Sequence, residues 1–392
     1  MPQRPVPLDE YPVHQIARSM RHVASGDRNA YDRSTFQVFD HEGRALLITG
    51  LGVYPNLGVT DAYATLLQGD RLIAVRASDA LGEDRMRQQV GPLRIEVQEP
   101  LKRLRLVCEP AGDHGANGAA GEECEGGEDE ASGLSYDLIW EADFPAVEEP
   151  HHIQYTGDRL FLEANRFCQA GSCHGVIRAG GEEITVERGR FTATRDRSWG
   201  VRPIPGEAPG RAAEEFRTEG FHWLWIPIRF EDRFVMVILQ EDADGYRTLD
   251  SAVLVHPADT GRPDEQLGRA HVDITYRSGS RHPQSAVIHL TGAGRKPIEI
   301  HAELLAGSPL AVGAGYPPAG DWQHGEWMGR GWLDRRTYDL ADPAGLGLAA
   351  YGVIDHAARF TWDGATGYGI FEHGSFGRHS PSGFTGFDSV AP

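Results

Sequence analysis

The sequence predicts an all-β protein made of antiparallel sheets that close into barrels or pack as sandwiches. Three observations carry this: repeated runs of period-two alternation, Gly- and Asp-rich turn signals between them at short intervals, and near absence of helical periodicity. With 48 Gly in 392 residues, the chain reads as a β-meander. A single hydrophobic core stops growing at roughly 250–300 residues, so two domains are expected.

The elements follow in chain order. Val13, Ile16, Met20 and Val23 recur at helical spacing, which predicts one short helix over residues 12–23. Asp40-His41-Glu42-Gly43 and Gln68-Gly69-Asp70 read as turns, and Leu93 to Val97 and Leu104 to Leu106 alternate as strands. Residues 111–133 are rich in Gly, Ala and Glu and have nothing to bury, so they are expected to form a disordered acidic insertion. The clearest strand is Leu134 to Phe144. Leu134, Tyr136, Leu138, Trp140, Ala142 and Phe144 fall on one face, with Ile139 the one exception on the other. Ile184 to Glu187, Phe221 to Trp225 and His271 to Tyr276 alternate likewise, and Phe234 to Leu239 is a continuous apolar run that suits a central strand. Ala179-Gly180-Gly181, Asp242-Ala243-Asp244-Gly245 and Trp362-Asp363-Gly364 are further turns, and the Pro-rich residues 202–210 read as a crossing between domains or a lid.

Composition excludes several function classes. A formal charge of −19 argues against nucleic acid and anionic membranes as partners, because both need clustered Lys and Arg. No run approaches ~18 uninterrupted apolar residues, so no membrane span is expected. The N-terminus lacks the pattern of a secretory signal, and four cysteines in so long a chain make a disulfide framework an unneeded assumption. A cytoplasmic location is the simplest expectation. Cys168-x4-Cys173-His174 is not a zinc spacing, and the adjacent His151 and His152 of an extended strand point to opposite faces, so no metal is expected. No GxGxxG, Walker loop or GxSxG elbow is present, so no nucleotide cofactor and no serine hydrolysis are expected either.

Arg195-Asp196-Arg197-Ser198-Trp199-Gly200 concentrates a carboxylate, two guanidiniums and an indole in six residues, a composition suited to a polar notch in a core. Asp196 is the candidate catalytic acid, because burial among aromatic rings such as Trp199 raises a carboxyl pKa. Pairing with Arg195 or Arg197 would instead keep it ionised as a structural clamp, although an extended strand puts both arginines on the face opposite Asp196. Phe221, Trp223 and Trp225 share one face and line either a ligand cavity or the core. His222, on the other face, is a candidate general base. Near the end, Asp355, His356, Trp362, Tyr368, Glu372 and His373 cluster, and a hairpin could make neighbours of Asp355 and Glu372 or of His356 and His373. Glu326, Trp327, Trp332 and Asp334 form a similar patch.

The string Thr194 to Arg202 resembles the Asp-x-x-Trp signature of the two-domain lipocalin-like proteins that include carotenoid 1,2-hydratase (hydroxyneurosporene synthase) and the AttH proteins. Leu51-Gly52-Val53-Tyr54-Pro55-Asn56 and Gly367-Tyr368-Gly369-Ile370-Phe371-Glu372 resemble landmarks of actinobacterial members of that group. The resemblance implies two consecutive lipocalin-like (calycin-type) antiparallel β-barrels with few short helices, expected at residues 1–175 and 176–392, around an apolar cavity. It also implies a cofactor-independent acid/base enzyme that hydrates, isomerises or cyclises an isoprenoid- or polyketide-like molecule at a carbon–carbon double bond. Asp196 and His222 are then the expected catalytic residues, and Trp199, Trp223, Trp225, Arg197, Tyr368 and Glu372 the substrate-binding ones. A non-catalytic carrier of a hydrophobic small molecule is the alternative. The oligomeric state is open.

Overall fold

A computed structural model describes residues 5–12, 22–111, 133–204, 219–342 and 352–392. Among the described residues two sheets contain the strands, and every strand pairing within them is antiparallel. The first has 14 strands and the second 10. Among the described residues the only helices are 3-10 turns of three or four residues, such as Pro7–Glu10. Most of the predicted helix and of the acidic insertion lies outside the described residues.

The first sheet runs, in spatial order, from Trp332–Asp339 through Arg71–Ala80, Val59–Gln68, Leu46–Tyr54 and Ala30–Asp40 to Phe191–Val201 and Arg159–Ala179, then on through Leu134–Ala142, Arg103–Cys108 and Leu93–Glu99. Its edge strand therefore comes from far along the chain, locked by Asp334 on the Arg76 guanidinium. Trp332 and Asp334 of the sequence patch therefore lie on a sheet edge, and Glu326 and Trp327 on the connection before it. Residue 175, where the resemblance divides the chain, lies inside the Arg159–Ala179 strand of this sheet. The second sheet is ordered Arg247–Val255, Phe234–Asp242, Gly220–Arg229, Ala365–His379, Ile354–Trp362, Pro297–Pro309, Pro283–Thr291 and His271–Tyr276.

Each sheet curls around its own core, which is the architecture of two lipocalin-like barrels. Leu134, Tyr136, Leu138 and Trp140 all face the first core, as their alternation requires. Phe144, the last residue of that pattern, lies past the strand end and packs instead into the seam between the sheets. The second core gathers Leu224, Ile226 and Ile228 with Val235 and Val237. The seam is a third apolar cluster in which Phe39, Ile48, Cys168 and Ala170 of the first sheet meet Trp223, Trp225, Met236 and Ile238 of the second. Polar pins cross it: Arg229 on Asp143 at 2.7 Å, and Gln37 Nε2 donating to Asp355 Oδ2 at 3.1 Å.

Candidate functional site

Alternation along Phe191–Val201 decides what its motif does. Ala193, Arg195 and Arg197 point into the first barrel, and Thr194, Asp196 and Ser198 point toward the second sheet. The strand continues to Val201, so no strand end lets the arginines swing round to Asp196. Arg195 is fully buried, grips Glu10 with two bonds of 2.6 and 2.8 Å, bonds Gln169, and lies 4.7 Å from the Trp140 ring. Arg197 bonds Asp32 Oδ1 at 2.7 Å and Ser34 Oγ at 2.6 Å. The two arginines are thus a structural ion-pair cluster, but with other partners. Trp199 shares their side and makes an edge contact with Phe167. Gly200 has φ +140°, and a Cβ there would stand 2.0 Å from the Glu163 carbonyl oxygen. Its role is close approach of backbone.

Asp196 opens into a cavity of about 570 Å³ at the seam. That volume lies within the range of small-molecule sites. Arg33, Thr35, Arg166, Asp196 and Ser198 line it from the first sheet, and Phe221, Trp223, Trp225, Glu372 and Phe376 from the second. Tyr316, Pro317, Pro318 and His324, from the connection after Pro309, close a further side, and Arg202, Pro203 and Ile204 of the Pro-rich stretch reach its rim.

The carboxyls around this cavity are unequally engaged. Glu149, buried, accepts from Trp225 Nε1 at 2.8 Å and from Arg166 Nη1 at 2.9 Å. Glu372 accepts from Trp223 Nε1. Asp196 makes no hydrogen bond and no ion pair with any side chain among the described residues. Burial pushes its pKa from the ordinary 3.8 up to about 7, with the Arg166 charge pulling it down and the charges of Glu149 and Glu372 pushing it up. Asp355, fully buried and directly opposite Glu372 in the hairpin, is pushed well above the carboxylate range by burial and by the Glu372 charge. His152 lies in the wall, stacked on Trp223, with neither ring nitrogen partnered. Burial and Arg166 push its pKa down to about 4, so it is neutral.

Of the residues singled out in the sequence, the fold gathers Asp196, Trp223, Trp225 and Glu372 around one cavity. It leaves four outside. His222 faces the second barrel interior, as its opposite parity to Trp223 demands. Tyr368 stacks on His41 at 3.6 Å, and Arg197 and Trp199 face the first barrel. The Asp355–Glu372 pair was within reach of sequence reasoning. Asp363 (φ 47°) and Gly364 (φ 80°) form a two-residue turn of the type whose Asp-Gly sequence is diagnostic, and counting back from Trp362 opposite Ala365 sets Asp355 against Glu372. Its register also sets His356 opposite Phe371, not His373. Arg166, Glu149, His152 and Tyr316 had no such local signal, since each meets the site only through packing of one sheet on the other.

An AttH-like protein of Nitrosomonas europaea has a TM-score of 0.52 at 15% identity, over 95% of this chain and 98% of its own, and so shares the two-barrel lipocalin-like fold. Kievitone hydratase of Nectria haematococca gives 0.47 at 10% identity over 93% of this chain and 97% of its own. CghA with Sch210972 gives 0.47 at 11% identity over 95% and 94%. No curated protein sequence matches. The model of a family of unknown function (DUF8625) matches residues 6–120 and 127–385.

Proposed function

The chain belongs to this family of unknown function, and from its site we propose that it is an enzyme performing cofactor-independent acid/base chemistry on an apolar small molecule held between the two barrels. The observation that carries the proposal is the placement of Asp196: a carboxyl turned into a tryptophan-walled cavity while both arginines beside it face away. A carboxyl poised near neutral pH can deliver a proton and be reloaded, which a carboxylate clamped by arginine cannot.

In the proposed reaction the substrate is an isoprenoid- or polyketide-like alkene. Asp196 transfers its proton to one alkene carbon, and positive charge develops on the neighbouring carbon beside Trp223 and Trp225, which line the cavity. Loss of a proton from an adjacent carbon gives isomerisation, attack by an internal double bond gives cyclisation, and addition of water gives hydration. In each case the proton released goes to a cavity carboxylate, with Glu372 the acceptor and Asp355 opposite it in the hairpin. Arg166, engaged by Glu149, supplies a fixed positive charge that limits how far the Asp196 pKa climbs.

The test is solvent deuterium incorporation. Native mass spectrometry of the purified chain identifies the class of any co-purifying ligand, and a panel of isoprenoid and polyketide alkenes of that class is incubated with the protein in D2O. Carbon-bound deuterium in the wild type and none with Asp196→Asn supports the enzyme. A ligand that binds equally to both and never exchanges shows a carrier instead.

A further inference from the structure

Behind the cavity wall, on the opposite faces of the same strands, the second barrel holds a group of buried histidines that the proposed reaction does not use. His222 lies on Gly220–Arg229, Glu241 on Phe234–Asp242 and His379 at the end of Ala365–His379. One donor atom from each lies within 4.8 Å of those of the other two. The imidazoles of His222 and His379 are stacked, with centroids 4.2 Å apart, and the His373 ring lies 5.5 Å from that of His222. All three histidines are at most 4% exposed.

We propose that His222, Glu241 and His379 form a binding site for a divalent transition metal, zinc by preference, inside the second barrel. Two imidazoles and one carboxylate are a donor set that suits zinc, and a fourth position is left for water. His222 Nδ1 is buried with no hydrogen-bond partner, a lone pair or N–H that the protein itself does not satisfy. A buried polar atom of this kind calls for a ligand. Around the three donors stands the supporting shell that metal sites require. Ser382 Oγ is 2.8 Å from His379 Nδ1, and Arg247 Nε donates to Glu241 Oε1 at 2.9 Å, leaving Oε2 to face His379 Nε2 at 3.1 Å.

That 3.1 Å separation is close to the ~3.3 Å expected between two ligands of a tetrahedral zinc with bonds of about 2.0 Å. The metal takes the place of the proton shared by His379 Nε2 and Glu241 Oε2. His379 then carries its proton on Nδ1, donating to Ser382, so no unpaired donor is created. His222 must rotate about its side-chain bonds to bring a nitrogen into range. Because the ligands come from three neighbouring strands at one end of the sheet, the metal ties that end together directly behind Trp223 and Glu372. The site stands or falls independently of the chemistry proposed for the cavity.

The test uses the full chain, stripped with chelator and titrated with zinc chloride alone. One equivalent should bind with a raised Tm, and cobalt(II) in its place should give the intense visible absorption of a low-coordinate, nitrogen-rich site. His222→Ala and His379→Ala should each weaken zinc by more than about 100-fold, and Ser382→Ala by about 10-fold. The exposed group His271, Asp273 and His289 is the competing surface site. His289→Ala should leave the stoichiometry and Tm shift unchanged. Absence of a stoichiometric equivalent in the wild type, or its loss in His289→Ala and retention in His222→Ala, would overturn the proposal. Should the barrel variants fail to fold, the wild-type cobalt spectrum and zinc stoichiometry decide the matter.

Discussion

Replacing Asp196 by Asn separates its protonation from its shape. In the unfolded chain this carboxyl loses its proton near its ordinary 3.8, whereas in the folded protein it holds the proton to about 7. The folded state therefore binds more protons between those two values, and this one group makes stability fall as pH rises through the window. A difference of about three pH units corresponds to about 4 kcal/mol lost by pH 8, with nothing lost below pH 3. This is a ceiling, since the carboxyl opens into a cavity that can hold water. Asn has the same shape and never ionises, so the variant should be as stable as wild type at pH 3.5 and more stable by up to about 4 kcal/mol at pH 8. Denaturant unfolding of both proteins across pH 3.5–8 measures the difference, and all other titrating groups cancel to first order. The reasoning is refuted if the variant is the less stable protein at pH 8. That sign would mean that Arg166 holds Asp196 as a carboxylate, with a depressed pKa, and that the carboxyl is a clamp and not an acid.

Three further predictions separate the scaffold from the site. Arg195→Met leaves Glu10 buried without its cation, so unfolding free energy should drop by about 3–5 kcal/mol, while ligand capture by the folded fraction, read by native mass spectrometry, stays at the wild-type level. Gly200→Ala puts a methyl group against the Glu163 carbonyl at a φ of +140°, which should cost at least about 3 kcal/mol in chemical denaturation; a loss below 1 kcal/mol would show that the two strands can part there. Trp223→Phe keeps an aromatic wall and removes the donor to Glu372, so stability should change by less than about 2 kcal/mol while the pH profile of deuterium exchange shifts.

The residues that were legible in the sequence share one property: their placement follows from local alternation. Leu134 to Trp140 face a core because period two leaves them no other side, and Arg195, Asp196 and Arg197 divide between two faces for the same reason. Trp223 and Trp225 fall together, and His222 apart from them, by parity alone. Parity does not say what each face meets. That depends on sheet order, and the long-range insertion of Trp332–Asp339 beside Arg71–Ala80 has no local signature. Glu149, Arg166 and Gln37 become site or seam residues only because one curled sheet lies on another. The same logic explains why His222 looked like a partner for Asp196. A histidine suits a general base by residue type, but alternate residues of a strand that separates two compartments serve both of them. The strand Gly220–Arg229 therefore presents a cavity wall on one side and a buried imidazole cluster on the other, so a change on either face can act through the backbone on its neighbour. A zinc-dependent shift in the pH profile of exchange, abolished by His379→Ala, would measure that coupling directly. Zinc binding with an unchanged profile would show two functionally separate compartments sharing a wall.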